Sequence, residues 1–140
     1  MQIKREIYNS LLYDCPQAPP EVGGILGGNE NIINIFFLDF SINSNENNCY
    51  IPNTKKLNSI LSTWLDDGIN FYGIFHTHFP YGYDLSNDDV KYIHQIMSTM
   101  PAYIKYLFFP VIIPNDGMVA FKVIKTSKAI CIEQDTITLI

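Results

Sequence analysis

The run Phe71-Tyr72-Gly73-Ile74-Phe75-His76 is apolar, aromatic and β-branched, and helical patterns flank it on both sides. A run that short and that continuously apolar reads as a strand buried within a sheet. Upstream, Leu57, Ile60, Leu61, Trp64 and Leu65 recur at the spacing of an amphipathic helix. Asn53 or Thr54 offers its N-cap, and Asp67-Gly68 closes it. Downstream, Ser86 opens another helix with Val90, Ile93 and Met97 on one face. A buried strand between two such helices restricts the chain to folds in which helices cover a sheet.

The remaining segments extend this pattern. Ile3, Ile7 and Leu11 predict a first helix over residues 3–14, ended by Pro16, Pro19 and Pro20. Val22 to Leu26 reads as a short strand, Gly27-Gly28-Asn29 as a turn, and residues 32–42 as a second strand. Three strands are expected near 104–113, 118–125 and 129–134, with 136–140 an edge strand or a tail. Asn43 to Asn48 reads as an exposed loop. The resulting order is α-β-β-α-β-α-β-β-β. It predicts an α/β class protein of mixed α+β type, one domain over residues 1–140, with helices on a mixed sheet.

Composition narrows the function classes. The chain has 140 residues, 47% hydrophobic and 16% charged, which suits a packed core. Its net charge of -5 argues against general binding to nucleic acid or to an anionic membrane surface. No apolar run is long enough to span a bilayer, and the N-terminal residues lack a signal-peptide pattern, so a cytoplasmic location is expected. Cys15, Cys49 and Cys131 are scattered, and are expected to be reduced and to act as small buried hydrophobes.

The chemistry-bearing residues gather at the end of the central strand. His76 and His78 are two apart, so a strand places both imidazoles on one face. Asp89 lies eleven positions further, in the first turn of the next helix, and can fold back toward them. Two histidines and a carboxylate with one position open form a common catalytic zinc pattern. The same residues also fit simpler roles. Ser86 to Asp89 is a good helix start, with Ser86 as N-cap and acids in the first turn. His94 is expected to be structural, on or beside the apolar face of its helix. Glu21, at the mouth of the first strand, fits either a general base or an exposed loop glutamate. The glycines after it fit either close backbone approach or turns.

Together these residues resemble the JAMM (MPN+, JAB-type) zinc metalloprotease motif. The match is Glu21, then His76 and His78, ten intervening residues, and Asp89 with Ser86 three before it. The Glu-Val-Gly-Gly-Ile-Leu-Gly-Gly stretch at 21–28 also resembles the family's first strand, and the resemblance runs from about residue 3 to about residue 125. It implies a curved mixed sheet with flanking helices, similar to the cytidine deaminase fold. It implies one zinc ion per chain held by His76, His78 and Asp89, with Glu21 as the proton carrier and Ser86 as an oxyanion donor. It further implies cleavage of a peptide or isopeptide bond after the Gly-Gly tail of a ubiquitin-like or sulfur-carrier protein. One departure stands out: family members usually carry proline directly after the second histidine, and here Phe79 precedes Pro80. Phe79, Tyr81 and Tyr83 are therefore candidates for the substrate-facing loop, with packing over the helix start as the other reading. Two other functions share the sequence pattern: a catalytically silent MPN-type scaffold, and a zinc amidohydrolase acting on a different peptide substrate.

Overall fold

The computed structural model describes residues 1–40, 49–79 and 82–140. The expected loop Asn43–Asn48 and residue Tyr81 lie outside the described residues. Strand β1 (Gln2–Ile3) leads into helix α1 (Arg5–Tyr13), followed by β2 (Gly23–Asn29), β3 (Ile32–Asp39), α2 (Thr54–Asp66), β4 (Asn70–Thr77) and α3 (Asn87–Thr99). The chain then continues as β5 (Tyr106–Phe108), β6 (Val111–Ile113), β7 (Gly117–Lys125), β8 (Ile130–Asp135) and β9 (Thr138–Leu139). The protein is mixed α+β, as the interleaved patterns predict.

The nine strands join one mixed sheet. β8 pairs with β7, and β5 and β6 share the next position between β7 and β4. β4, β2, β3, β1 and β9 complete the order. β2 runs antiparallel to both of its neighbours, whereas β5 and β6 run parallel to β4.

Strand alternation splits the core into two layers. On one face, Leu26, Phe75, Phe108 and Ile112 pack with Leu11 and Leu12 of α1. On the other, Ile25, Ile74, Leu107 and Phe109 pack with Leu57 and Trp64 of α2 and Ile93 and Met97 of α3. The functional consequence lies in the alternation along β4. Ile74 and His76 share the face covered by α3, while Phe75 and Thr77 point to the α1 face.

The structure departs from the sequence expectations at several points. Gly27 and Gly28 continue β2 instead of turning, paired with Ile35 and Ile33 of β3 and with Phe71 and Asn70 of β4; a Cβ on Gly27 would meet the Trp64 ring at 2.6 Å and one on Gly28 the Ile32 carbonyl at 2.0 Å. The glycines serve close approach, and the turn falls at Glu30-Asn31, both at positive φ. The expected strand 104–113 is two strands. Pro110 has no N–H for the ladder, and the Phe109 N–H reaches the Phe121 carbonyl at 2.8 Å while the Pro110 carbonyl accepts from His76 N–H. Ile3 belongs to β1, so α1 starts at Arg5. Leu65 is 73% exposed although its spacing fits the apolar face of α2. Cys15 is buried as expected, but Cys49 and Cys131 are exposed.

Candidate metal centre and its cleft

The C-terminal end of β4 supplies the first two groups. His76 and His78 project toward α3, and their Nε2 atoms approach to 2.8 Å. Asp89, in the first turn of α3, sets one carboxylate oxygen 3.2 Å from His76 Nε2 and the other 3.1 Å from His78 Nε2. The three residues form a group whose ligand atoms all lie within 4.8 Å of one another.

This donor set fits zinc in chemistry and in size. Two imidazole nitrogens and a carboxylate oxygen suit a borderline cation. With bonds of roughly 2.0–2.1 Å, the ligand atoms of a tetrahedral zinc stand about 3.3–3.4 Å apart, close to the observed spacing. The outer contacts fit as well. His78 Nδ1 lies 3.1 Å from the Gly82 carbonyl oxygen, so Nδ1–H donates there and Nε2 is directed at Asp89. Gly82 sits at φ +99°, a conformation that glycine adopts without strain.

Asp89 is oriented locally. Ser86 is the N-cap of α3, and its Oγ accepts the Asp89 N–H at 3.0 Å. The Ser86 N–H in turn donates to Asp89 Oδ2 at 2.8 Å, completing a capping box. Both sequence readings of this segment therefore hold at the level of geometry: it is a helix start, and it presents a carboxylate to the histidines. Ser86 uses its oxygen lone pair in the cap, so its hydroxyl proton is free to point into the cleft.

The electrostatics follow from this convergence. Burial opposes the Asp89 charge, yet hydrogen bonds from His76, His78 and the Ser86 backbone outweigh it and hold the carboxyl far below its usual range. Burial also opposes a charged His78, but its bonds to Asp89 and Gly82 raise its pKa above the usual 6.5. A proton and a metal ion thus compete for the same Nε2.

Glu21 lies at the entrance to β2 and lines the same cleft as His76, His78, Ser86 and Asp89. Gly23 pairs with His76 across the antiparallel ladder, which carries Glu21 to the level of His78 on the same side. Burial raises the Glu21 carboxyl above the ordinary glutamate value, against the pull of His76 and His78 and a long hydrogen bond of 3.4 Å from the Tyr50 N–H.

Several supporting residues escaped the sequence reading. Thr77, fully buried between the two histidines, accepts the Val22 N–H at 2.9 Å through Oγ1 and donates to the Val22 carbonyl. Strand period alone pointed to it, since a polar residue between two site residues must face the opposite layer. Asp39, 1% exposed, accepts from the Tyr50 hydroxyl and from the Asn53 N–H, both at 2.8 Å. Tyr50 lays its ring where a Gly23 side chain would stand, 2.7 Å from that Cβ position. Its sequence signal was an acid closing an otherwise apolar strand.

Of the aromatic loop, Phe79 lines the cleft. Tyr83 instead donates its hydroxyl to Asp116 and sits over Gly117, so it ties the loop to the β6–β7 hairpin. His94 is exposed on α3 and does not rest on the apolar face. No helix among the described residues is long and apolar enough to cross a membrane.

No protein-family model matches the chain, and no curated protein matches it in sequence. Its fold is similar to that of a Desulfitobacterium hafniense protein whose structure was determined in solution. The two share 15% identity over 99% of this chain and 91% of that one, with a TM-score of 0.62. At that identity the likeness concerns the fold alone.

Proposed function

We propose that the protein is a zinc-dependent hydrolase of peptide or isopeptide amides, with the catalytic arrangement and cytidine-deaminase-like sheet of the JAMM family. We assign its substrate as a ubiquitin-like or sulfur-carrier protein cleaved after a Gly-Gly tail. The observation that carries this reading is the convergence of His76, His78 and Asp89 in a cleft that also holds Glu21 and Ser86.

His76, His78 and Asp89 would hold the ion. Zinc bound there supplies Lewis acidity, making water nucleophilic near pH 7. Glu21 takes a proton from the attacking water, and its raised pKa suits it to return that proton to the leaving nitrogen. Water oxygen bonds to the carbonyl carbon, the C–N bond breaks, and a carboxylate and an amine leave. Ser86 donates its hydroxyl proton to the oxygen that gains charge as the carbon becomes tetrahedral. An extended Gly-Gly tail brings no side chains to the part of the cleft between Glu21 and α3.

The test begins with zinc stoichiometry by elemental mass spectrometry, beside a His76→Ala/His78→Ala control. About one zinc per chain, lost in the control, supports the centre. Purified protein is then incubated with Gly-Gly-tailed fusions and the products weighed by mass spectrometry. Failure to take up zinc even when it is added back would overturn the reading.

A further inference from the structure

We infer that the cleft contains a subsite for one bulky apolar side chain, aromatic or branched aliphatic, beside the reacting amide. This deepens the hydrolase reading and rests on it for the identity of the reacting group.

The subsite follows from two periodicities. Ile74 precedes His76 by two residues on β4 and shares its face. Tyr92 and Ile93 follow Asp89 by three and four residues on α3 and so share its face. The wall that carries the candidate ligands therefore continues directly into an apolar wall. Phe109, next to Pro110, and Phe79, just past His78, line the same cleft.

Size and charge identify the occupant. The cleft measures about 470 Å³ and is one continuous space from Glu21 to Phe109. That volume is in the range of small-molecule sites and exceeds what a side-chain-free backbone fills. The titratable groups at the ligand end of the lining include the carboxyls of Glu21, Asp88 and Asp89 and the imidazoles of His76 and His78. No lysine or arginine lines the cleft among the described residues, so a charged side chain has no counter-ion at the apolar end, away from the histidines. At the apolar end Ile74, Ile93 and Phe109 form a floor that is 7%, 2% and 2% exposed, and the half-buried rings of Phe79 and Tyr92 stand beside it, which suits a neutral apolar side chain. If the acyl side of the substrate is Gly-Gly, this side chain belongs to the residue on the amine side.

Two ligand series test the subsite. Zinc-loaded protein is titrated with acetohydroxamate and with phenylacetohydroxamate by calorimetry. Metal-free protein, with labelled isoleucine methyls, is titrated with N-acetylglycinamide and N-acetylphenylalaninamide by NMR. The benzyl-bearing hydroxamate should bind about tenfold to a hundredfold more tightly, the effect of burying one large apolar group. In the metal-free protein, only the phenylalanine amide should shift the Ile74 and Ile93 methyls. Tyr92→Ala, at a half-buried helix position, should reduce the preference, and Ile74→Phe should abolish it if that variant folds. Equal affinity within the hydroxamate pair, or shifts confined to other isoleucines, would overturn the subsite while leaving zinc binding intact. Failure to bind zinc with the Ile74 and Ile93 shifts preserved would overturn the hydrolase reading and leave the subsite standing.

Discussion

Thr77 grips Val22 through three hydrogen bonds. Its hydroxyl accepts the Val22 N–H at 2.9 Å and reaches the Val22 carbonyl at 3.3 Å, and its own N–H donates to that carbonyl at 2.8 Å. Glu21 is the next residue back along the chain. The residue between the two histidines thus holds the segment that carries the candidate base, although its side chain points to the opposite face of the sheet.

Thr77→Val keeps the shape but removes both hydroxyl bonds and leaves the Val22 N–H without its partner. Denaturant unfolding should show a loss of about 1–3 kcal/mol. Zinc stoichiometry should stay near one, because neither imidazole depends on the hydroxyl. A variant as stable as the parent would mean that the bond contributes nothing net.

Glu21→Gln should retain zinc and lose turnover by roughly a hundredfold or more, the usual contribution of a positioned proton carrier. Elemental analysis and single-substrate kinetics read the two effects separately. Full activity in this variant would remove Glu21 from the mechanism.

Zinc affinity should rise with pH. The pKa of His78 is raised above 6.5, so metal must displace a proton more tightly held than usual until the pH passes that raised value. Competition titration with a chromophoric chelator between pH 5.5 and 8 measures this. A flat profile would contradict the arrangement of His78, Asp89 and Gly82.

Metal-free protein has the opposite dependence on the alkaline side. The lowered pKa of Asp89 adds stability that is present above 3.8 and lost as pH falls through its folded value. The raised pKa of His78 adds stability that is full below 6.5 and lost as pH rises through its folded value. The destabilisation caused by Asp89→Asn, measured in chelator, should therefore be largest between about pH 4 and 6.5. Glu21 contributes with a different sign above 4.5, where ionising a carboxyl of raised pKa weakens the fold. Because both proteins in the comparison keep Glu21, most of that contribution cancels.

Gly23→Ala should damage both fold and cleft. The new methyl would stand 2.6 Å from the Phe75 carbonyl and 2.7 Å from the Tyr50 ring. Overpacking of this kind costs about 1–3 kcal/mol. Thermal unfolding measures the loss, and the Tyr50 hydroxyl resonance reports whether its bond to Asp39 survives.

The parts that sequence made legible are those whose cause is local. α2 and α3 announce themselves through apolar spacing, and Asn53 and Ser86 both cap as their residue types suggest. The two histidines share a face because strand period requires it, and Asp89 reaches them from an ordinary helix start. The parts that stayed hidden depend on distant partners. β1 is two residues long and exists because β3 and β9 flank it, strands that begin 30 and 136 positions after Gln2. Tyr50 and Asp39 meet although eleven positions separate them, and nothing local to either residue signals the contact. Gly27 and Gly28 read as a turn because the need for space comes from Trp64 and the β3 backbone. Leu65 satisfies helical spacing yet is 73% exposed, since spacing alone does not say how wide a face the sheet covers.

The capping box gives α3 a further role. Asp89 is tied to its own helix start by Ser86 as well as facing the two imidazoles, so the carboxylate travels with the helix as one jaw. The two imidazoles, anchored on β4, form the fixed jaw. The gap between the jaws is therefore set by how Ile93 and Met97 seat α3 against the sheet. A seat deeper or shallower by a few tenths of an ångström changes the ion radius that the gap accepts. In this protein, core packing one to two turns along the helix acts as a calliper on the spacing of the three candidate ligands.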